Sequence, residues 1–172
     1  MVSVFAFPGG ETGSVSQSPE LLRVASGICP QPRKTERAPS GYLRRNNPLP
    51  ASPENIARGK QLYQKEAKPT ACKMCHGVRG NGNGRLAQRL VPAPRNFTCK
   101  ETMNPLSDGQ LFWIIKNGSR GTGMPEHKST LSDKDIWQII YYLKSFIHWD
   151  VYILINWVSE CLSRKNIQRV FS

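Results

Sequence analysis

Two cysteines spaced by two residues and followed at once by a histidine, Cys72-Lys73-Met74-Cys75-His76, constrain this chain more than any other feature in it. Two sulfurs and an imidazole within five residues must serve one point of the fold, and the rest of the chain has to wrap that point. Few other organising signals surround them. Ser52 followed by Pro53 reads as an N-cap and first helical residue, after which Ile56, Gly59, Leu62 and Tyr63 fall at helical spacing up to a limit before Pro69. Ser107 and Gln110 are spaced as a capping box, Leu106 is placed to staple onto Leu111, and Asn117-Gly118 supplies the stop. Ser132 and Asp135 repeat the box, with Leu131 and Ile136 as a second staple ahead of Ile139, Ile140 and Leu143 and the aromatics Trp137, Tyr141, Tyr142 and Phe146. The Gly- and Pro-rich stretch 77–98 reads as loop, and no convincing strand alternation occurs. The expected fold is all-α, three to four short helices and long loops. So thin a core ordinarily needs a staple: disulfides, a metal or a large cofactor.

The organisation along the chain has three parts. Residues 1–51 are rich in Ser, Gly, Pro and Arg without a sustained period, and read as a disordered N-terminal extension, with order beginning at Ser52. Residues 52–147 form the expected folded domain, and residues 148–172 a C-terminal extension of uncertain structure. The first ten residues lack a basic region and a long enough apolar run for an export signal. Nor does any stretch reach the roughly 20 apolar residues of a spanning helix; the best attempt, 146–162, is broken by His148, Asp150, Asn156 and Glu160.

Net charge is +12, and residues 51–147 alone hold fifteen Lys/Arg against seven Asp/Glu. This basic excess suits acidic partner proteins or anionic surfaces. Nucleic acid is not expected, because no helix presents a basic face with base-reading side chains. Of the five cysteines, Cys72 and Cys75 share the motif, so Cys29, Cys99 and Cys161 allow at most one bridge among them, a poor basis for a disulfide scaffold.

C-x-x-C-H is the attachment signal for a c-type haem. Two thiols at this spacing reach the two vinyl groups of one porphyrin and form thioethers, and the adjacent His76 then projects onto the iron. A thioredoxin-type dithiol would expect a βαβ setting. A zinc site could draw on Cys72, Cys75, Cys99 and a histidine, but Cys99 stands alone rather than in a second ligand pair. The sixth iron ligand must come from elsewhere. Met1 is terminal and Met74 is trapped inside the attachment loop, which leaves Met103 and Met124. Met124 is favoured, because it sits in the Gly-rich loop Gly121-Thr122-Gly123-Met124-Pro125, where core filling is a poor explanation. His127, three residues on, is its competitor.

With these residues in place the chain resembles the class I c-type cytochromes, especially bacterial monohaem domains that carry Cys-x-x-Cys-His-Gly-x-x-Gly-x-Gly near one end and Gly-x-x-Met-Pro near the other. The matching positions are Cys72, Cys75, His76, Gly77, Gly80, Gly82, Gly84, Met124 and Pro125. The resemblance implies a small cytochrome c fold around one covalently bound haem c, held through Cys72 and Cys75 with His76 and Met124 as axial ligands. It also implies that Gly59 and Tyr63 cross the last helix near Tyr141 or Tyr142. A proline carbonyl of Pro92-Ala93-Pro94 is expected to accept from the His76 Nδ1–H, and Trp113 to lie against the haem. The function implied is single-electron transfer between redox partners with acidic docking surfaces, not enzymatic bond chemistry, in a periplasmic or other extracytoplasmic setting. The alternatives are a haem sensor or peroxidase-like enzyme with a labile distal ligand, for which only Glu126 and His127 offer distal polar groups, and a zinc-stabilised binding module.

Overall fold

The computed structural model describes residues 27–31 and 35–147. The absence of an export signal in the first ten residues, a surface His148, Cys161 and the extension 148–172 lie outside the described residues. Among the described residues every regular element is helical. The elements are α1 (Ser40–Leu43), α2 (Pro53–Gln61) continuing into a π-helical turn (Leu62–Glu66), α3 (Lys73–His76), a 3₁₀ turn (Ala87–Arg89), α4 (Lys100–Met103), α5 (Asp108–Asn117) and α6 (Asp133–Ser145). The all-α expectation is met. The three segments with apolar periodicity are the three longest α-helices.

Helix starts follow local chemistry. The Ser52 side chain accepts from the Asn55 N–H at 3.3 Å with Pro53 in the first turn. At α6 the box closes in both directions: Asp135 N–H donates to Ser132 Oγ and Ser132 N–H to Asp135 Oδ2, both at 3.1 Å. At α5 only half of the expected box forms. Ser107 Oγ accepts from the Gln110 N–H at 3.2 Å. The Gln110 side chain turns away instead, taking the Ala38 N–H at 2.9 Å and donating to the Glu36 carbonyl at 3.0 Å. A buried primary amide that finds both a donor and an acceptor on a passing chain gains more than one that merely caps its own helix.

The core lies where α2 crosses α6. A Cβ at Gly59 would collide with the Gln138 carbonyl oxygen, so only the missing side chain lets the two backbones approach. One turn on, the fully buried Tyr63 ring meets Tyr142 edge-on at 5.3 Å and Phe146 at 5.8 Å. Tyr142 is thus the crossing aromatic. Tyr141 lies on another side of α6, and its hydroxyl donates to the Leu49 carbonyl at 2.5 Å.

Order does not begin at Ser52. Upstream chain is fixed to the helical domain by bonds to and from its own irregular backbone. Tyr42 stacks on Phe112 with centroids 6.2 Å apart, and Asn47 N–H donates to Asp108 while its side chain donates to the Trp137 carbonyl. Cys29 forms a disulfide with Cys99 across 70 residues of sequence. Lack of periodicity shows only that the segment cannot bury a face of its own. Here residues 27–31 and 35–50 lie on a core that other segments build.

Candidate haem site

The motif occupies a single helical turn. Cys72 is the N-cap of α3, and α3 ends at His76 because Gly77, at φ +81°, turns the chain out of the helix. The Gly-rich loop then folds back and satisfies the motif's own carbonyls. Gly82 N–H donates to the His76 carbonyl at 2.9 Å, Gly84 N–H to that of Cys75 at 3.0 Å, and Leu86 N–H to that of Met74 at 2.8 Å. Any Cβ at Gly84 would collide with the Met74 carbonyl, so the return needs glycine. From the core side the buried Tyr63 hydroxyl donates to the Gly77 carbonyl at 2.7 Å.

His76 is held on two sides. Its Nδ1 lies 3.0 Å from the Arg95 carbonyl oxygen, and the Phe97 ring stacks on the imidazole at 4.5 Å with 23° between planes. A carbonyl can only accept, so the proton sits on Nδ1 and Nε2 carries the lone pair suited to a metal. The expected acceptor, a proline carbonyl of 92–94, is corrected to Arg95. The Pro94 carbonyl is engaged differently, accepting from the Gln31 side chain at 2.9 Å.

These groups border one open apolar cleft. Cys72, Cys75 and His76 stand on one wall. Leu90, Pro92 and Phe97, with Leu111, Ile114 and Ile115 from α5, supply apolar lining, and Met124 and His127 come from the loop after α5. The donor set fits a c-type haem. Two thiols and an imidazole sit together, a thioether enters from another segment, and the walls are apolar. Burial pushes the Cys72 thiol up to about 12, with the neighbouring Cys75 adding to the rise, and burial also raises Cys75. A redox-active dithiol needs the opposite shift. Cys99 is bound to Cys29, which takes the third sulfur from the zinc alternative.

Met103 is buried in the core and does not border the cleft, whereas half-buried Met124 does. The Met124 loop is tied mainly to itself. Ser119 N–H donates to the Met124 carbonyl and Met124 N–H to Thr122 Oγ1, both at 3.2 Å. His127 is buried, its Nδ1 2.6 Å from the Lys68 carbonyl. Burial lowers its pKa, partly offset by that bond. From α5 the cleft takes Gln110, Leu111, Ile114 and Ile115, and Trp113 is not among the residues that border it. Arg95, Phe97 and Thr35 are site residues that sequence reasoning missed. The proline segment pointed to the neighbourhood of the first two, while nothing local marked Thr35.

Helix order, paired thiols beside an imidazole and an apolar cleft together define a class I c-type cytochrome domain. Residues 54–143, just over half of the chain, match the family described as "Cytochrome C oxidase, cbb3-type, subunit III", and the chain belongs to this family of cytochrome c domains. Membership implies binding of haem c and a part in electron transport. The chain is 27% identical over 117 residues to the quinohemoprotein alcohol dehydrogenase ADH IIB of Pseudomonas putida, a match covering 68% of this chain and 14% of that enzyme. Among solved structures it is similar to the Kuenenia stuttgartiensis reducing HAO-like protein complex Kustc0457/Kustc0458. The identity is 28% and the TM-score 0.51, over 58% of this chain and 47% of that one. The chain thus spans less than half the length of each of these relatives. No helix among the described residues is long and apolar enough to cross a membrane.

Proposed function

We propose that this chain is a single-electron carrier module holding one haem c, attached through thioethers at Cys72 and Cys75, with His76 and Met124 as axial ligands. The observation that carries the reading is one cleft bordered by both thiols, the imidazole and the Met124 thioether. When bound, the haem supplies the one-electron iron couple, whose potential depends on axial ligands and burial. The chain's own residues do the rest. Arg95 and Phe97 fix the tautomer and plane of His76. Leu90, Leu111, Ile114 and Ile115 exclude water from the cleft.

A thioether in the sixth position favours the ferrous state, raises the potential and keeps small molecules from the iron, which argues for carriage of electrons rather than bond chemistry. The names of the family and relatives, an oxidase subunit, a quinohaemoprotein dehydrogenase and a protein complex, support a redox partner for this chain as well. Its net charge of +12 suits an acidic docking surface, with association that weakens as salt rises. The Cys29–Cys99 disulfide supports an oxidising, extracytoplasmic setting, as haem c attachment does.

Purified holoprotein should show a low-spin haem c spectrum, keep its haem through acid–acetone extraction and gain the mass of one haem. Its oxidised form should show the weak near-infrared thioether-to-iron band. If that band is missing and His127→Ala, rather than Met124→Ala, changes the spin state, the iron is bis-His and the Met124 assignment fails.

A further inference from the structure

Residues 27–31 and 35–50 precede the segment matched by the cytochrome family, yet part of this upstream chain reaches the support of the proximal histidine. The Gln31 side chain grips the loop 94–96 on both sides of its middle residue. Its Nε2 donates to the Pro94 carbonyl at 2.9 Å and its Oε1 accepts from the Asn96 N–H, also at 2.9 Å. The middle residue is Arg95, whose carbonyl accepts from His76 Nδ1 at 3.0 Å. Further along the strap, Thr35 Oγ1 lies 2.6 Å from Arg95 Nη2. Two residues before Gln31, Cys29 is bound to Cys99. Gly27 is pressed against the Asn81 carbonyl in the loop that follows the motif, so close that no side chain would fit. The loop that presents the Arg95 carbonyl is therefore held from outside by a second stretch of chain, itself locked by a disulfide.

We propose that Gln31 is a positioning residue for the haem: by bracketing Pro94 and Asn96 it aims the Arg95 carbonyl at His76 Nδ1 and so sets the basicity of the proximal imidazole and the iron potential. The inference rests on the reading of His76 as an iron ligand. The physical link is short. A well-aimed carbonyl draws the Nδ1 proton, gives the imidazole more anionic character and makes it a stronger donor to the ferric ion, which lowers the potential. A loop free to drift lengthens that bond and raises the potential. The Cys29–Cys99 bridge acts in the same direction at one remove, keeping Gln31 over the loop.

The test uses the full-length holoprotein. Gln31→Leu removes donor and acceptor at similar volume. Its ferrous-to-ferric ratio at fixed ambient potential should rise by up to about tenfold, which is about 59 mV for a one-electron couple. Exchange of the His76 Nδ1–H with solvent, read by NMR of the ferrous protein, should accelerate together with that shift. The double variant Cys29→Ser/Cys99→Ser should shift the potential in the same direction by a smaller factor, and it serves if Gln31→Leu folds poorly. A melting temperature that falls in either variant while potential and proton exchange stay at wild-type values would make the strap merely structural and overturn the proposal. Failure of the underlying reading is seen separately, since wild-type protein would then lack a low-spin haem c spectrum.

Discussion

The two walls of the cleft are built in opposite ways. On the His76 side the imidazole and its motif are braced by other segments: the Arg95 carbonyl, the Phe97 ring, the Gly-rich return 82–86 onto the motif's carbonyls, and Tyr63 on Gly77. On the Met124 side the loop closes mostly on itself through Ser119 and Thr122, and no heavy atom lies within contact distance of where a Cβ would stand at Gly121. Its tethers to other segments are Leu90, which packs against Gly123, and His127 with Thr130, which both reach the Lys68 carbonyl. A wall held from many sides resists displacement, whereas a wall held by short-range bonds opens at low cost. The contrast leaves His76 the more firmly held of the two proposed ligands.

The largest effect expected is from Cys72→Ala with Cys75→Ala. The cleft is bordered by core residues such as Phe97, Leu111, Ile115 and Leu143, so without an anchored cofactor much of the core loses its packing partner. The double variant should carry no haem on a denaturing gel and show a mostly unfolded far-UV signal. Retention of a native fold would mean that the braced wall stands without the haem. Next comes Met124→Ala, which removes the proposed sixth ligand and leaves the His76 side untouched. Its potential should fall by on the order of 0.1 V within the roughly 0.8 V that axial ligation spans, and exogenous ligands should bind the iron. An unchanged potential would place the ligand elsewhere.

Tyr63→Phe probes the braced wall more gently. Loss of a buried hydroxyl that donates to Gly77 should cost about 1–2 kcal/mol of unfolding free energy with the haem spectrum kept. A larger loss of haem signal than of stability would show the bond acting on the motif itself.

The smallest effect concerns pH and the looser wall. Burial lowers the pKa of His127 below its ordinary value near 6.5. The unfolded chain therefore binds the proton first, and the stability due to a neutral His127 is complete above about pH 6.5 and declines as pH falls through the lower, folded value. Melting temperature should drop on acidification below that point. His127→Gln should flatten this part of the curve, and an unaltered slope would show that His127 does not titrate in that window.

Much of this was legible before any coordinates. The three longer helices, their serine N-caps and the cysteine-histidine turn are local features, readable because spacing within a few residues fixes them. The family resemblance implied the α2–α6 crossing through Gly59 and Tyr63 and pointed to a proline loop near His76. Where the reading went astray, the partner lay far off in sequence. Gln110 left its own helix cap for Glu36 and Ala38, and the acceptor for His76 proved to be Arg95.

The sequence by itself determined an all-α chain, the placement of its main helices and the grouping of two thiols and an imidazole in the motif Cys72-x-x-Cys75-His76, because helix periodicity, capping and spacing within five residues are short-range matters. Tertiary structure alone decided which carbonyl faces His76, that Met124 borders the cleft while Met103 is buried in the core, and that residues 27–50, apart from the undescribed 32–34, lie against the domain. Gln31 and Arg95 stand 64 positions apart, and Cys29 and Cys99 are separated by 70. At such separations no periodic pattern links the two residues, and their meeting is set by the packing of everything between them.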